Sequence, residues 1–446
     1  NTTISGLSFT NTSITNYSTS NVLIQGNSFT GSYSDNPTAL ATAQSFGAIN
    51  VSANALPVIQ LNNVDNLSIK NNSFLYPQVQ TYVSQNGKLD NNRGTVPVCN
   101  QNSYFSNGRQ RPIPGNMSGL CLSGNALRLN AIREATISGN SVIGALDEAF
   151  RINNPSGKLV IDNNSTTNMR MGPDSNIGTA IIVGQNSGSS IISITNNRFS
   201  NNSPGSYPIV TSANQSGVPA ASSKGIPSNL QINNIDPIEV GLCRGTTDYP
   251  RAQDLYADPN FSGNCNSPTR MTITVSGNRI SLPTIQGGLI KQDGDGIDYN
   301  LGQNAILTTN VLNNTVTTLG GTNGGDNGIT FDMRGNATGN IQILKNSVSN
   351  SSGTAIDIGF TNTPTNKNFG TGFVKLSDNI NSGTTTELLG ISLINNPGQP
   401  ASILRVTGEG SNASTVNAVS PDYKSFNTGI YPTLYLNGKL IPKPNR

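Results

Sequence analysis

The chain has 446 residues, including 47 glycines and 65 asparagines, with 34% hydrophobic and 11% charged side chains and a formal charge of +3. There is no histidine and no tryptophan, which excludes Ser–His and Cys–His catalysis and a histidine-held metal. No basic run exists before the tail at 439–446, which argues against a nucleic-acid surface, and no stretch of about 18 apolar residues could form a membrane-spanning helix.

Taken in order, residues 2–9 are a degenerate copy of a pattern that becomes clear at 22–29 (VLIQGNSF) and 67–74 (LSIKNNSF). Its formula is apolar, any, apolar, any, Asn/Gly/Asp, Asn, any, Phe/Val/Ile. The alternation predicts a strand with one buried face. The Asn pair predicts a tight bend, because Asn tolerates left-handed backbone and bonds its own main chain. Residues 31–55 interrupt the pattern, and 76–125 form an insertion holding Cys99 and Cys121. Copies return at 135–142, 159–166 and 192–199, so 126–202 is the cleanest run. A second insertion at 203–270 contains eight prolines, Cys243 and Cys265. Copies resume at 273–280, 309–316 and 341–348, with degenerate ones at 374–381 and 391–398. The last stretch, 398–446, loses the Asn bend. Its alternations at 404–406 and 433–436 predict strands that cap an open end.

The second Asn of each bend is a ruler: Asn27, Asn72, Asn140, Asn164, Asn197, Asn278, Asn314, Asn346 and Asn379, at intervals of 45, 68, 24, 33, 81, 36, 32 and 33. A unit of this length predicts a solenoid. A second marker lies between the bends: Ile59-Gln-Leu61, Leu127-Arg-Leu129, Phe150-Arg-Ile152, Ile181-Ile-Val183, Ile297-Asp-Tyr299, Ile329-Thr-Phe331 and Ile356-Asp-Ile358. Two or three short strands per turn and no helical period describe an all-β parallel β-helix over 1–397, with insertions at 76–125 and 203–270 and a C-terminal β cap at 398–446. The apolar residues are periodic, so the low charge does not signal disorder. The bend asparagines are expected to stack as a ladder.

This strand–Asn repeat resembles the right-handed parallel β-helix repeat of pectate-lyase-like proteins, over most of 1–398. That superfamily includes polysaccharide lyases and hydrolases, phage tailspikes and bacterial autotransporter passengers. The resemblance implies a right-handed parallel β-helix; it does not imply one function, since one fold hosts many sites. The chain looks most like an autotransporter-type passenger or surface protein. On that footing it is expected to be secreted or outer-membrane associated and to act as an adhesin or structural surface protein. Its inserted loops would bind a host or neighbouring-cell surface protein or glycan. A homo-oligomer is compatible with this reading, and a tailspike-like receptor-binding protein would be a trimer. The chain begins inside a repeat with no leader visible, as expected of a processed chain or a piece of a longer one.

Both cysteine pairs are 22 residues apart, so the simplest of three pairings is two local staples, Cys99–Cys121 and Cys243–Cys265. Disulfides imply an oxidising compartment. Tyr104, Tyr249 and Tyr256 in the insertions, with Tyr76 and Tyr82, are the candidate contacts. No catalytic residue is assigned. The alternative, a polysaccharide lyase or glycoside hydrolase, would use Asp298, Asp332 and Asp357, flanked by Asp293, Asp295 and Asp326. Aligned markers put Asp298, Thr330 and Asp357 at one outward position of three coils. At about 4.8 Å per coil the two carboxylates stand about 9.6 Å apart, just beyond the roughly 6.5–9.5 Å of an inverting pair, with Asp332 diagonal and nearer. Calcium on oxygen ligands belongs to that alternative; otherwise no metal or cofactor is expected. The lyase and polygalacturonase signatures are absent. Outward positions on a solvated sheet are expected to leave these carboxylates open to water. Arg128 and Arg151, near Asp147 and Glu148, form a second outward charged group.

Overall fold

The computed structural model describes residues 1–10, 14–30, 58–75, 126–144, 148–167, 179–200, 237–243, 265, 267–281, 295–317, 327–349, 351, 353–361, 370–382, 389–395, 403–408 and 433–440. Five further short strands are described at Tyr82–Val83, Ser103–Ser106, Arg109–Pro112, Ile209–Val210 and Pro421–Ser425. Among the described residues there is no helix long and apolar enough to cross a membrane.

The chain is an all-β parallel solenoid with three strands per complete coil. One coil consists of Ile329–Arg334, Thr338–Leu344 and Ser347–Ser349. Each pairs in parallel with its counterpart one coil on, Ile356–Thr361, Thr371–Ser377 and Ile380–Asn381. We name the three sides the entry, middle and short faces, in chain order. In Ile14–Gln25 and Ile59–Lys70 the strand runs unbroken round the corner from entry to middle face.

Alternation puts one apolar file of each strand inside. On the entry face Leu127, Phe150, Ile181, Ile238, Ile297, Ile329 and Ile356 are in register and fully buried. On the middle face Ile24, Ile69, Ile137, Ile161, Ile194, Val275, Val311 and Ile343 do the same. Each such side chain contributes about 1.5–3 kcal/mol by leaving water. The short face starts with stacked rings, Phe9 on Phe29 at 4.8 Å and Phe29 on Phe74 at 4.9 Å. A polar exception is compensated locally. Tyr299 points inward, stacks on Phe331 at 4.3 Å, and its hydroxyl meets Thr309 Oγ1 at 3.0 Å. Thr309 occupies a position where the neighbouring coils have Ile273 and Ile341.

The asparagine ladder lies at the corner between middle and short faces. From Asn27 to Asn346, each backbone N–H and each Nδ2 donates to the Oδ1 of the asparagine one coil on, at 2.9–3.0 Å, ending on Asn379. Nδ2 also donates to a carbonyl of the preceding coil, as Asn197 does to Ile161 at 3.0 Å. The residue before each ladder asparagine sits at a φ of 53–66°, whether Gly26, Asn71, Asn163 or Asn313, which is why that position takes Gly, Asn or Asp in every coil but that of Lys345. In the first coil Leu7 holds the ladder position, and its N–H donates to Asn27 Oδ1.

Two features differ from the sequence reading. The stretch 203–270 is not one insertion. It contains an entry strand, Ile238–Leu242, buried throughout and paired with Thr179–Gln185 and Ile297–Leu301. Cys243, directly after it, is bonded to Cys265 with Cα atoms 5.0 Å apart. The staple closes the neck of the excursion between that strand and its middle strand, Thr269–Ser276. Cys99 and Cys121 lie outside the described residues. Parallel stacking also runs past residue 397, through Ile403–Gly408 to Thr433–Leu436. Among the described residues past 397, the chain turns back at Lys439–Leu440, which pairs antiparallel with Tyr435 and Leu436. That short return covers the last strand edge.

Candidate functional site: the polar files of the entry face

The outward side of the entry face carries two files. The first runs Gln60, Arg128, Arg151, Ile182, Glu239, Asp298, Thr330, Asp357 and Gly390. The second, two residues along, runs Asn62, Asn130, Asn153, Gly184, Gly241, Asn300, Asp332 and Gly359. The register places Asp298, Thr330 and Asp357 on successive coils as the repeat predicted, with Asp332 diagonal between the two acids. Arg128 and Arg151 are likewise adjacent. Basic and acidic residues are segregated along the axis, with Ile182 between them.

The expectation that these carboxylates face open water fails at Asp298, while Asp295, Asp332 and Asp357 are half-buried. Asp298 is 5% exposed and Glu239 is fully enclosed, as are most of Arg151, Asn153 and Asn300. Asn300 Nδ2 donates to Asp298 Oδ2. Asp357 leans over Gly390, so closely that a Cβ there would sit 2.6 Å from its Oδ1, and Asp332 leans over Gly359. Asp332 is ion-paired with Arg334, whose Nε donates at 2.8 Å. The Thr330 hydroxyl, between Asp298 and Asp357, is buried without a hydrogen-bond partner.

Burial, and then the negative charge of Asp332, push the Asp357 carboxyl above its ordinary 3.8. Folded protein therefore holds this proton at pH values where the unfolded chain has released it, and stability falls as pH rises through that window. Asp357→Asn is expected to raise the melting temperature at pH 7, with the gain disappearing below about pH 3.5, where both states are protonated. An unchanged melting temperature at pH 7 would contradict this placement of Asp357.

Other sequence candidates are more dispersed. Asp295 accepts the Asn327 N–H at 2.8 Å, and Asp147, Asp293 and Asp326 lie outside the described residues. Tyr104 is in the strand Ser103–Ser106, opposite Arg111 of Arg109–Pro112. Tyr76, Tyr249 and Tyr256 lie outside the described residues. Tyr82–Val83, from the first insertion, pairs in parallel with Ile209–Val210, from the second, a link between distant segments that no local pattern announces. Among the described residues no three acidic or sulfur side chains converge to hold a metal. At the corner between entry and middle faces, bend residues including Ser18, Asn63, Ala131 and Asn154 line an open depression of about 990 Å³. At its side Arg133 Nε donates to Asp65 Oδ1 at 2.9 Å, and this guanidinium holds the Asp65 carboxyl below its ordinary value.

Comparison with known proteins finds no matching family model, no matching curated protein and no matching solved structure. The fold and its files are therefore the whole basis for a functional reading.

Proposed function

We propose that this chain is a secreted or cell-surface β-solenoid of the adhesin or passenger kind, whose excursions contact a surface protein or glycan on another cell. The observation that carries the reading is where the chain leaves the solenoid. The stretches 31–58, 76–126 and 201–237 all depart from the short face and return at the entry face, as the bounds of Ser28–Thr30, Ser73–Leu75 and Arg198–Ser200 and of the entry strands after them require. A rigid ladder-bonded stack that releases three long stretches at one corner, and the stapled one between its entry and middle strands, supports display of contacts. The Cys243–Cys265 bond is compatible with an oxidising location.

The test removes one excursion and keeps the stack. Residues 77–124 are replaced by the four-residue crossing 144–147, which joins Ser141–Ile143 to Glu148–Asn153. The intact chain is expected to bind whole cells saturably. The shortened one should lose that binding at least about tenfold while its β circular dichroism persists. Full binding by the shortened chain, or none by the intact one, would defeat the proposal.

A second reading, a glycoside hydrolase or polysaccharide lyase, is favoured by one observation: burial and the neighbouring Asp332 push the Asp357 carboxyl above its ordinary value, the direction in which a general acid is tuned. Depolymerisation of an acidic polysaccharide, lost in Asp357→Asn, would replace the first reading with this one.

A further inference from the structure

The middle face has a different character from the entry face in the same coils. Six successive middle strands, Thr269–Ser276, Ala305–Leu312, Thr338–Leu344, Thr371–Ser377, Ile403–Gly408 and Thr433–Leu436, contain no aspartate or glutamate. Their charges are Arg270, Lys375 and Arg405. The entry strands of that region carry Glu239, Asp298, Asp332 and Asp357. In these coils the acids lie on the entry strands and the middle strands carry only basic charge, with Asp378 in the bend after Thr371–Ser377.

Outward, the middle face presents two files. Thr272, Thr308 and Asn340 lead into Phe373, Arg405 and Tyr435. Beside them Thr274, Asn310 and Gln342 lead into Lys375. Arg405 is held between two rings, 5.6 Å from the Phe373 centroid and 4.9 Å from that of Tyr435. Both rings are within cation–π reach of the guanidinium, which restricts where it can sit on the face. Among the described residues neither Arg405 nor Lys375 has a carboxylate partner. Lys375 is diagonal to Arg405, with Cβ atoms about 7–8 Å apart. Phe373 is 45% exposed although it stands on a sheet face. Five strand spacings make the strip about 24 Å long.

We propose that this acid-free strip is a binding site for a linear glycan carrying sulfate or carboxylate groups. Arg405 and Lys375 take the oxyanions, and the threonine and amide files hydrogen-bond the sugar hydroxyls. A planar guanidinium suits a two-oxygen contact, which a lysine cannot reproduce. Arg405 and Lys375 lie on the face opposite the corner from which 31–58, 76–126 and 201–237 leave, so this site is tested separately from those three.

The test is calorimetric titration of the full chain with a heparin decasaccharide, a hyaluronan decasaccharide, neutral dextran and polyglutamate. At least one anionic glycan is expected to bind and dextran is not. The two glycan arms decide between sulfate and carboxylate. Arg405→Gln should weaken the glycan at least about tenfold, and Arg405→Lys should lose most of the same affinity. Lys158→Gln, on the same face but in the N-terminal half, should bind normally, and the melting temperature of each variant separates a lost contact from a lost fold. The proposal is overturned if neither glycan binds, if Arg405→Lys matches the parent, or if polyglutamate binds as tightly as the glycan.

Discussion

Asn197→Ala is expected to destabilise the coils around it by about 2–5 kcal/mol. The side chain is 1% exposed. Its Oδ1 accepts both the Asn164 backbone N–H at 2.9 Å and Asn164 Nδ2 at 3.0 Å, and its Nδ2 donates to Ile161 O and Asn278 Oδ1. Alanine leaves two buried donors on Asn164 short of an acceptor, each costing about 1–3 kcal/mol. The control is one residue away. Asn196 is on the outer side of the same bend at a φ of 55°, a conformation glycine adopts freely, so Asn196→Gly should stay within about 0.5 kcal/mol. Because coils interact with their neighbours only, amide exchange should accelerate mostly between 164 and 278. Urea midpoints that place the two variants together would remove the ladder from its structural role.

The second large effect is expected from the staple. Cys243 and Cys265 are 22 residues apart and almost completely buried. A closed loop of this size contributes about 3 kcal/mol by restricting the unfolded chain. The double variant Cys243→Ala with Cys265→Ala is expected to lose about that much, and chemical reduction of the parent should reproduce it. The loss should appear in the coil containing Ile238–Leu242 and Thr269–Ser276, which the excursion separates in sequence. Equal unfolding midpoints for oxidised and reduced protein would contradict it.

Much of this architecture was legible because the ladder imposes a sequence rule. A buried Asn at a bend, a left-handed residue before it and alternating apolar residues before that are local features, and Asn27 to Asn379 could be aligned from them. The strand Ile238–Leu242 was not legible, because the excursion after it carries its Asn bend away to Asn278. The burial of Asp298 was misread for a different reason. Period two states which side of the sheet a residue takes, but not whether its carboxylate will be enclosed there and bonded by Asn300. Arg405 was missed because its partners, Phe373 and Tyr435, are neighbours only across coils. An outward aromatic in a strand such as Thr371–Ser377 was the available signal. The acid-free strip is invisible along the chain and obvious once strands are stacked.

Every functional reading above depends on which strands are neighbours, and one spectroscopic measurement tests that directly. Ile191, Thr272 and Thr308 are exposed and occupy one file on three successive coils. Nitroxide labels at 191 and 272 are 81 positions apart in sequence, with the stapled excursion between them, yet their strands should be only about 4.8 Å apart. Continuous-wave electron paramagnetic resonance should show strong spin–spin broadening for the 191/272 pair and much weaker broadening for 191/308, two coils apart. Sharp lines from the 191/272 pair, or equal broadening in both, would contradict the stacked solenoid.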